Sequence, residues 1–186
     1  MSRVTALAIL LSVAAFAASN PAPQPCQFPS QFVTLETCME YRRWANVFSD
    51  FTNKRKLLDF VDSDDFIYVD MDAQITKRKF GGVCLTYREK GYAINFDSIP
   101  ASSVLETRAG STVGEDVEVV VWKIDTPATE GEIAVTKDTC YPVYSSLVDK
   151  STEKSLYLLY TDVQEEGFDA SVFDNLDFSG CPDEPQ

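Results

Sequence analysis

The chain has 186 residues, of which 24% are charged, with 29 Asp and Glu against 16 Lys and Arg for a net charge of −13, and no histidine. So acidic a surface repels phosphate backbones and anionic headgroups, which excludes nucleic acid as the expected partner. The lack of histidine excludes Ser-His-Asp and Cys-His nucleophile systems and His-ligated metals.

Taken in chain order, the N-terminus is read first as a targeting segment. Arg3 precedes an apolar run from Ala6 to Ala17, and Ala15-Phe16-Ala17 presents small residues where a signal peptidase cuts. Residues 1–18 are therefore read as a removed secretion signal, since the run falls short of the ~20 apolar residues of a bilayer span. Residues 19–25 form a short Pro-rich lead-in, residues 26–181 a single domain, and residues 182–186 an acidic tail. No later stretch reads as a transmembrane segment. The expected location is extracellular.

The domain reads as mostly strand. Residues 34–45 carry Leu35, Cys38, Met39 and Arg42 at helical spacing but are read as strand. Asp50-Phe51-Thr52-Asn53 forms a hairpin turn between Trp44–Phe48 and Lys54–Val61. Phe66–Met71, Val117–Trp122 and Leu156–Tyr160 are short runs rich in β-branched and aromatic residues, and Gly81-Gly82 marks a break. From Val117 to Ile124 both alternating faces are largely apolar, which suits an inner strand rather than an edge. The strand-like run before Tyr141-Pro142 is expected to stop there or become an edge, because proline cannot donate to a ladder. The fold class is mostly β, an antiparallel sandwich or half-open barrel.

Cysteines stand at 26, 38, 84, 140 and 181. The secretory route favours disulfides over zinc, for which neither a Cys-x-x-Cys pair nor histidine is present. Two disulfides and one odd thiol are expected, and spacing alone does not select the pairing. Asp62-Ser63-Asp64-Asp65 and Asp70-Met71-Asp72 offer hard oxygen ligands for calcium, without the Gly and distal Glu of an EF-hand loop. Ser151-Thr152-Glu153-Lys154 matches Ser-x-x-Lys but falls between strands, where it reads as a solvated turn. A carboxylate pair for glycoside hydrolysis has no specific signal among so many acids. The chain is read as a non-enzyme. Phe60, Ile67, Val69, Val119, Val121, Leu156 and Leu158 are candidates to line an apolar ligand pocket, which for an acyl chain needs a few hundred Å³.

Seven stretches in order resemble the ependymin-related family. Pro25-Cys26-Gln27-Phe28-Pro29-Ser30-Gln31-Phe32 is similar to its Pro-Cys-x-x-Pro-x-x-aromatic opening. Phe51-Thr52-Asn53-Lys54-Arg55 is similar to its Asn-x-Arg hairpin, and Cys84 follows the basic run Lys77-Arg78-Lys79. Ile99-Pro100, the strand ending at Trp122, Lys137-Asp138-Thr139-Cys140-Tyr141-Pro142-Val143 with one residue inserted, and Ser171-Val172-Phe173 before Cys181 continue the order.

The resemblance implies two curved, stacked antiparallel sheets enclosing a deep apolar pocket. It also implies disulfides Cys26–Cys140 and Cys84–Cys181, a secreted or lysosomal location, a lipid-like ligand, associated calcium and a homodimer. Cys38 has no counterpart in the pattern and is read as a buried thiol or a link between two chains. No Asn-x-Ser/Thr occurs, although the family usually carries one. The leading expectation is a secreted carrier or sensor of a lipid-like molecule with no required cofactor. The alternative is a calcium-linked extracellular or matrix interaction protein.

Overall fold

The computed structural model describes residues 24–39, 42–88, 98–112, 115–164 and 167–183. The proposed signal, most of the lead-in and the end of the acidic tail lie outside the described residues. Among the described residues the strands are β1 (Gln31–Cys38), β2 (Arg43–Asp50), β3 (Arg55–Phe60), β4 (Phe66–Asp70), β5 (Ile75–Phe80), β6 (Val83–Arg88), β7 (Val104–Thr112), β8 (Glu115–Asp125), β9 (Thr129–Thr136), β10 (Pro142–Asp149) and β11 (Lys154–Gln164). No described helix is long and apolar enough to cross a membrane.

All eleven strands join one antiparallel sheet in the order β6-β5-β4-β3-β2-β1-β11-β10-β9-β8-β7. It is two meanders, β1 to β6 and β7 to β11, sewn together where β1 pairs with β11. The sheet is open, with β6 and β7 at its edges. Hydrogen bonding runs unbroken across it, so the expected division into two sheets is not seen.

Local chemistry explains most boundaries. Turn residues with positive φ sit where adjacent strands reverse: Lys54, Gln74, Gly81, Gly82 and Glu153. The ambiguous stretch 34–45 contributes the end of β1 and the start of β2, with Thr37 opposite Trp44 and Cys38 opposite Arg43. Cross-strand pairing overrides its helical spacing. The expectation at Tyr141-Pro142 is corrected. Strand β9 already ends at Thr136, Cys140 lies in the connection at φ 57°, and Pro142 begins an interior strand. The first residue of a strand, next to a bulge between Pro142 and Tyr144, tolerates a missing N–H.

Register assigns every side chain to one of two faces. Opposite one another on the inner face stand Phe32, Ser49 and Lys56, then Thr34, Val47 and Leu58, then Glu36, Ala45 and Phe60. Across the seam this face continues through Tyr160 and Leu158 to Ser145, Leu147, Ile133, Val135, Val120, Trp122 and Ile124. Lys56 on β3 and Ile133 on β9 would stand about 24 Å apart on a flat sheet of ~4.8 Å strand spacing. They line the same small cavity, so the sheet curls strongly about this face.

The outer face is covered over β2 to β6 by the C-terminal segment. Phe168 packs on Phe48, Phe173 on Tyr68, and Phe178 on Phe66 and Tyr68. The Cys84–Cys181 disulfide, a 2.7 Å ion pair from Lys79 Nζ to Asp177 and a 2.6 Å hydrogen bond from the Thr86 hydroxyl to the Pro182 carbonyl tie the segment down.

Candidate functional site on the inner face

Both meanders converge on one inner cavity of about 30 Å³. Phe28, Phe32 and Phe51 close one end, with ring centroids 6.2 Å (Phe28 to Phe51) and 6.1 Å (Phe32 to Phe51) apart. Tyr141 meets Phe32 edge-on at 6.4 Å. Val47, Ile133, Pro142 and Leu147 supply apolar wall, while Thr34, Ser49, Lys56, Ser145 and Tyr160 supply a polar band.

Two features hold the aromatic end in place. The Cys26–Cys140 disulfide fastens the N-terminal segment to the β9–β10 connection, and the Ile99 N–H donates to the Cys26 carbonyl at 2.9 Å. The second is Asp50, which is fully buried at the end of β2. Its carboxylate accepts from Gln31 Nε2 at 3.0 Å, from the Asn53 backbone N–H at 3.2 Å, from Asn53 Nδ2 at 2.8 Å and from Arg55 Nε at 3.0 Å. Burial works against its charge, but these hydrogen bonds together hold the carboxyl below its usual value. The Asn-x-Arg hairpin thus has a physical role: Asn53 and Arg55 converge on Asp50 and fix the turn that presents Phe51.

The inner face also buries charge. Glu36 is 3% exposed and Lys56 6% exposed. Burial raises the Glu36 carboxyl above its usual value of 4.5, with Lys56 pulling the other way, and its Oε2 has no hydrogen-bond partner among the described residues. Opposite Glu36, burial pushes the Tyr160 hydroxyl far up, and the charge of Glu36 adds to the effect. Tyr160 Oη lies 3.5 Å from the Ser145 hydroxyl.

A pH prediction follows from Glu36. Between 4.5 and its raised folded value, the folded state holds the proton that the unfolded state has lost. Stability from this group therefore falls as pH rises through that window and is fully present below 4.5. Glu36→Gln should flatten that slope in urea titrations from about pH 4.5 to 7.5. Parallel stability profiles for the two proteins would show that Glu36 titrates normally.

The pocket candidates divide between faces. Phe60, Ile67, Val69, Leu156 and Leu158 are on the inner face but do not line the cavity. Val119 and Val121 are on the outer face, buried with Ala134 beside Val143 and Tyr144. Register places Val120 opposite Val135 and Trp122 opposite Ile133, so the even positions of β8 point inward. Both alternating sets are apolar, and the side-chain pattern did not decide between them. Missed altogether were Phe28, Phe32 and Phe51, which come from the segment before β1, the start of β1 and a turn.

The acidic runs form hairpin turns. Asp65 accepts from Arg43 at 2.9 Å and from the Gly81 N–H at 2.8 Å, and Asp70 accepts from the Ala73 N–H at 2.8 Å. Asp62, Asp64 and Asp72 are exposed. Among the described residues no group of three or more His, Cys, Asp or Glu stands close enough to hold a metal ion. Ser151 lies in the β10–β11 turn, where its N–H and hydroxyl both donate to Asp149. Cys38 belongs to neither disulfide and is half-buried on the inner face beside the seam.

The chain is similar in fold to an uncharacterized conserved protein of Thermus thermophilus. The TM-score is 0.53 at 9% identity, over 84% of this chain and 88% of that one. A likeness at this identity concerns the fold alone. No family model and no curated protein matches the chain.

Proposed function

We propose that this is a secreted, non-enzymatic binding protein of the ependymin-related type, which holds a lipid-like apolar ligand between the two halves of its curled sheet. The observation that carries the reading is the cavity on which both meanders converge, part apolar wall and part polar band, and closed at one end by three phenylalanines. At about 30 Å³ it has room for a water molecule and not for an acyl chain. Binding therefore requires Phe28, Phe32 and Phe51 to swing aside. The packing of these rings on one another is worth roughly 0.5–1.5 kcal/mol per pair beyond burial. Each methylene then taken up contributes about 0.8 kcal/mol, enough for a chain of ten or so to offset that rearrangement. Lys56, Ser145 and Tyr160 would meet the polar end of the guest.

Native mass spectrometry of the purified protein, before and after solvent extraction and after incubation with oleic acid, tests the reading. A bound or bindable lipid is expected, with Phe28→Ala binding faster. A protein that carries no lipid, takes up no oleate and shows no change in Phe28→Ala has a solid interior, and the reading fails. The alternative of a calcium-linked matrix protein has no observation of its own, since Asp65 and Asp70 are engaged in the turns described above.

A further inference from the structure

On the outer face, a strip over the seam is left open between the C-terminal cover on β2 to β6 and the buried outer side of β8 and β9. One row of this strip crosses four strands as Tyr144, Leu159, Thr37 and Trp44. The next row along is Thr161, Leu35 and Asn46, and the one beyond holds Gln164 and Val33, ending at Phe48 under the C-terminal cover. None of these positions is Asp, Glu, Lys or Arg, in a chain with 24% of its residues charged. A solvent-facing strand surface in so acidic a protein would ordinarily carry charge at such positions.

The strip is also built for more than solvation. Trp44 is 55% exposed and Tyr157 38% exposed, and Tyr157 stacks on Tyr144 with centroids 6.1 Å apart and planes at 17°. The Tyr144 hydroxyl donates to Glu132 at 3.1 Å, which fixes the ring. Beside this aromatic platform runs an open groove of about 440 Å³, lined by Val33, Leu35, Asn46, Asp162, Val163 and Gln164, with Thr34 at its floor. That volume lies within the range of small-ligand sites. Strand β11 is irregular here: between the pairs Leu35 to Thr161 and Val33 to Gln164 it carries one extra residue, so that Asp162 and Val163 stand against Thr34 alone, and Asp162 adopts φ 50°. Bulges and left-handed non-glycine residues re-aim side chains and recur at binding sites.

We propose that this strip binds an uncharged oligosaccharide. Flat exposed aromatic rings offer apolar faces to the C–H side of a sugar ring. The carboxamides of Asn46 and Gln164 both donate and accept, and Asp162 accepts, which suits hydroxyl groups. The rows themselves carry no charge, and the carboxylates at their margin, Asp162 in the groove and Glu132 against Tyr144, disfavour anions. A basic protein would gain more on the acidic remainder of the surface, and an anionic glycan or membrane would be repelled by the net charge of −13. A wholly apolar guest would strand the amide groups without partners. The aromatic platform is on the opposite face from the inner cavity, and the groove shares only Thr34 with that cavity.

The two tryptophans separate the readout, because Trp122 is only 2% exposed. Acrylamide quenching of the full chain should report Trp44 alone, titrated with maltohexaose, cellohexaose, mannohexaose and N-acetylchitohexaose. At least one is expected to shield Trp44 at millimolar concentration or below. Calorimetry with that sugar should show affinity lowered more than tenfold in Trp44→Ala and several-fold in Asn46→Ala, with unchanged thermal unfolding of both variants. Failure of all four sugars to shield Trp44, or equal affinity in the variants, overturns the proposal. Shielding that grows with protein concentration in the absence of sugar assigns the strip to a second copy of the chain and also overturns it.

Discussion

Replacing Cys84 and Cys181 together with serine should lower stability by about 4–5 kcal/mol, the loop-closure entropy of a bond joining residues 97 apart. For a chain of this size the melting temperature should drop by roughly 10–20 °C. The bond anchors the cover over the outer face of β3 to β6, so the loss should be local first. Phe173 is 4% exposed and Phe66 5% exposed because the C-terminal segment lies across the sheet. Without the disulfide, that segment is held by the Lys79 to Asp177 pair, with Asp177 63% exposed and therefore weakly held, and by the Thr86 hydrogen bond. Amide exchange over residues 167–183 should speed up well before global unfolding. Guanidinium titration should also show a larger m-value, because the unfolded chain expands once the crosslink is gone. A double variant within about 1 kcal/mol of the parent, with unchanged exchange in the segment, would mean that packing alone secures the cover.

Asp50→Ala should be of similar severity, about 3–5 kcal/mol, the cost of removing one side of a buried charged network. Four donor groups on Gln31, Asn53 and Arg55 converge on this carboxylate, and it is wholly buried. Removing it strands those donors and frees the turn that holds Phe51 against the inner cavity. Asp50→Asn keeps one acceptor oxygen and should cost less. The pH dependence supplies a second readout. The folded carboxyl lies below its usual 3.8, so above that value its contribution is fully present, and it is lost as pH falls through the folded value. Parent and Asp50→Asn should therefore converge in stability only in strong acid. A constant difference down to about pH 2 would show that Asp50 acts by shape and not by charge.

The two effects act at different places. The Cys84–Cys181 bond secures the outer cover, whereas Asp50 and the Cys26–Cys140 bond secure the aromatic end of the inner face. If ligand entry requires Phe28 and Phe51 to move, then Asp50→Asn should change uptake kinetics and the Cys84, Cys181 double variant should not.

Several features were legible from residues alone. Alternation and β-branched content mark β4, β8 and β11, and the paired glycines and the Asp50 to Asn53 turn mark reversals, because these depend on neighbours within a few positions. Spacing did not select the cysteine pairing, whereas the resemblance to the ependymin-related family implied the two pairs that the structure forms. Tertiary structure alone decided the rest. Which face of β8 turns inward depends on the register against β9, and with valines at both parities a shift of one residue exchanges the two sets without changing local hydropathy. The single sheet arises because β1 meets β11, a contact between residues 120 or more apart in the chain that no local pattern encodes. Asp62 to Asp72 read more readily as solvated turns than as cation ligands, and their specific partners, Arg43 and the Gly81 and Ala73 amides, come only from the fold. The small volume of the cavity, and the placing of Trp44 on an uncharged outer strip, follow from how the sheet curls, and curvature is a property of all its strands together.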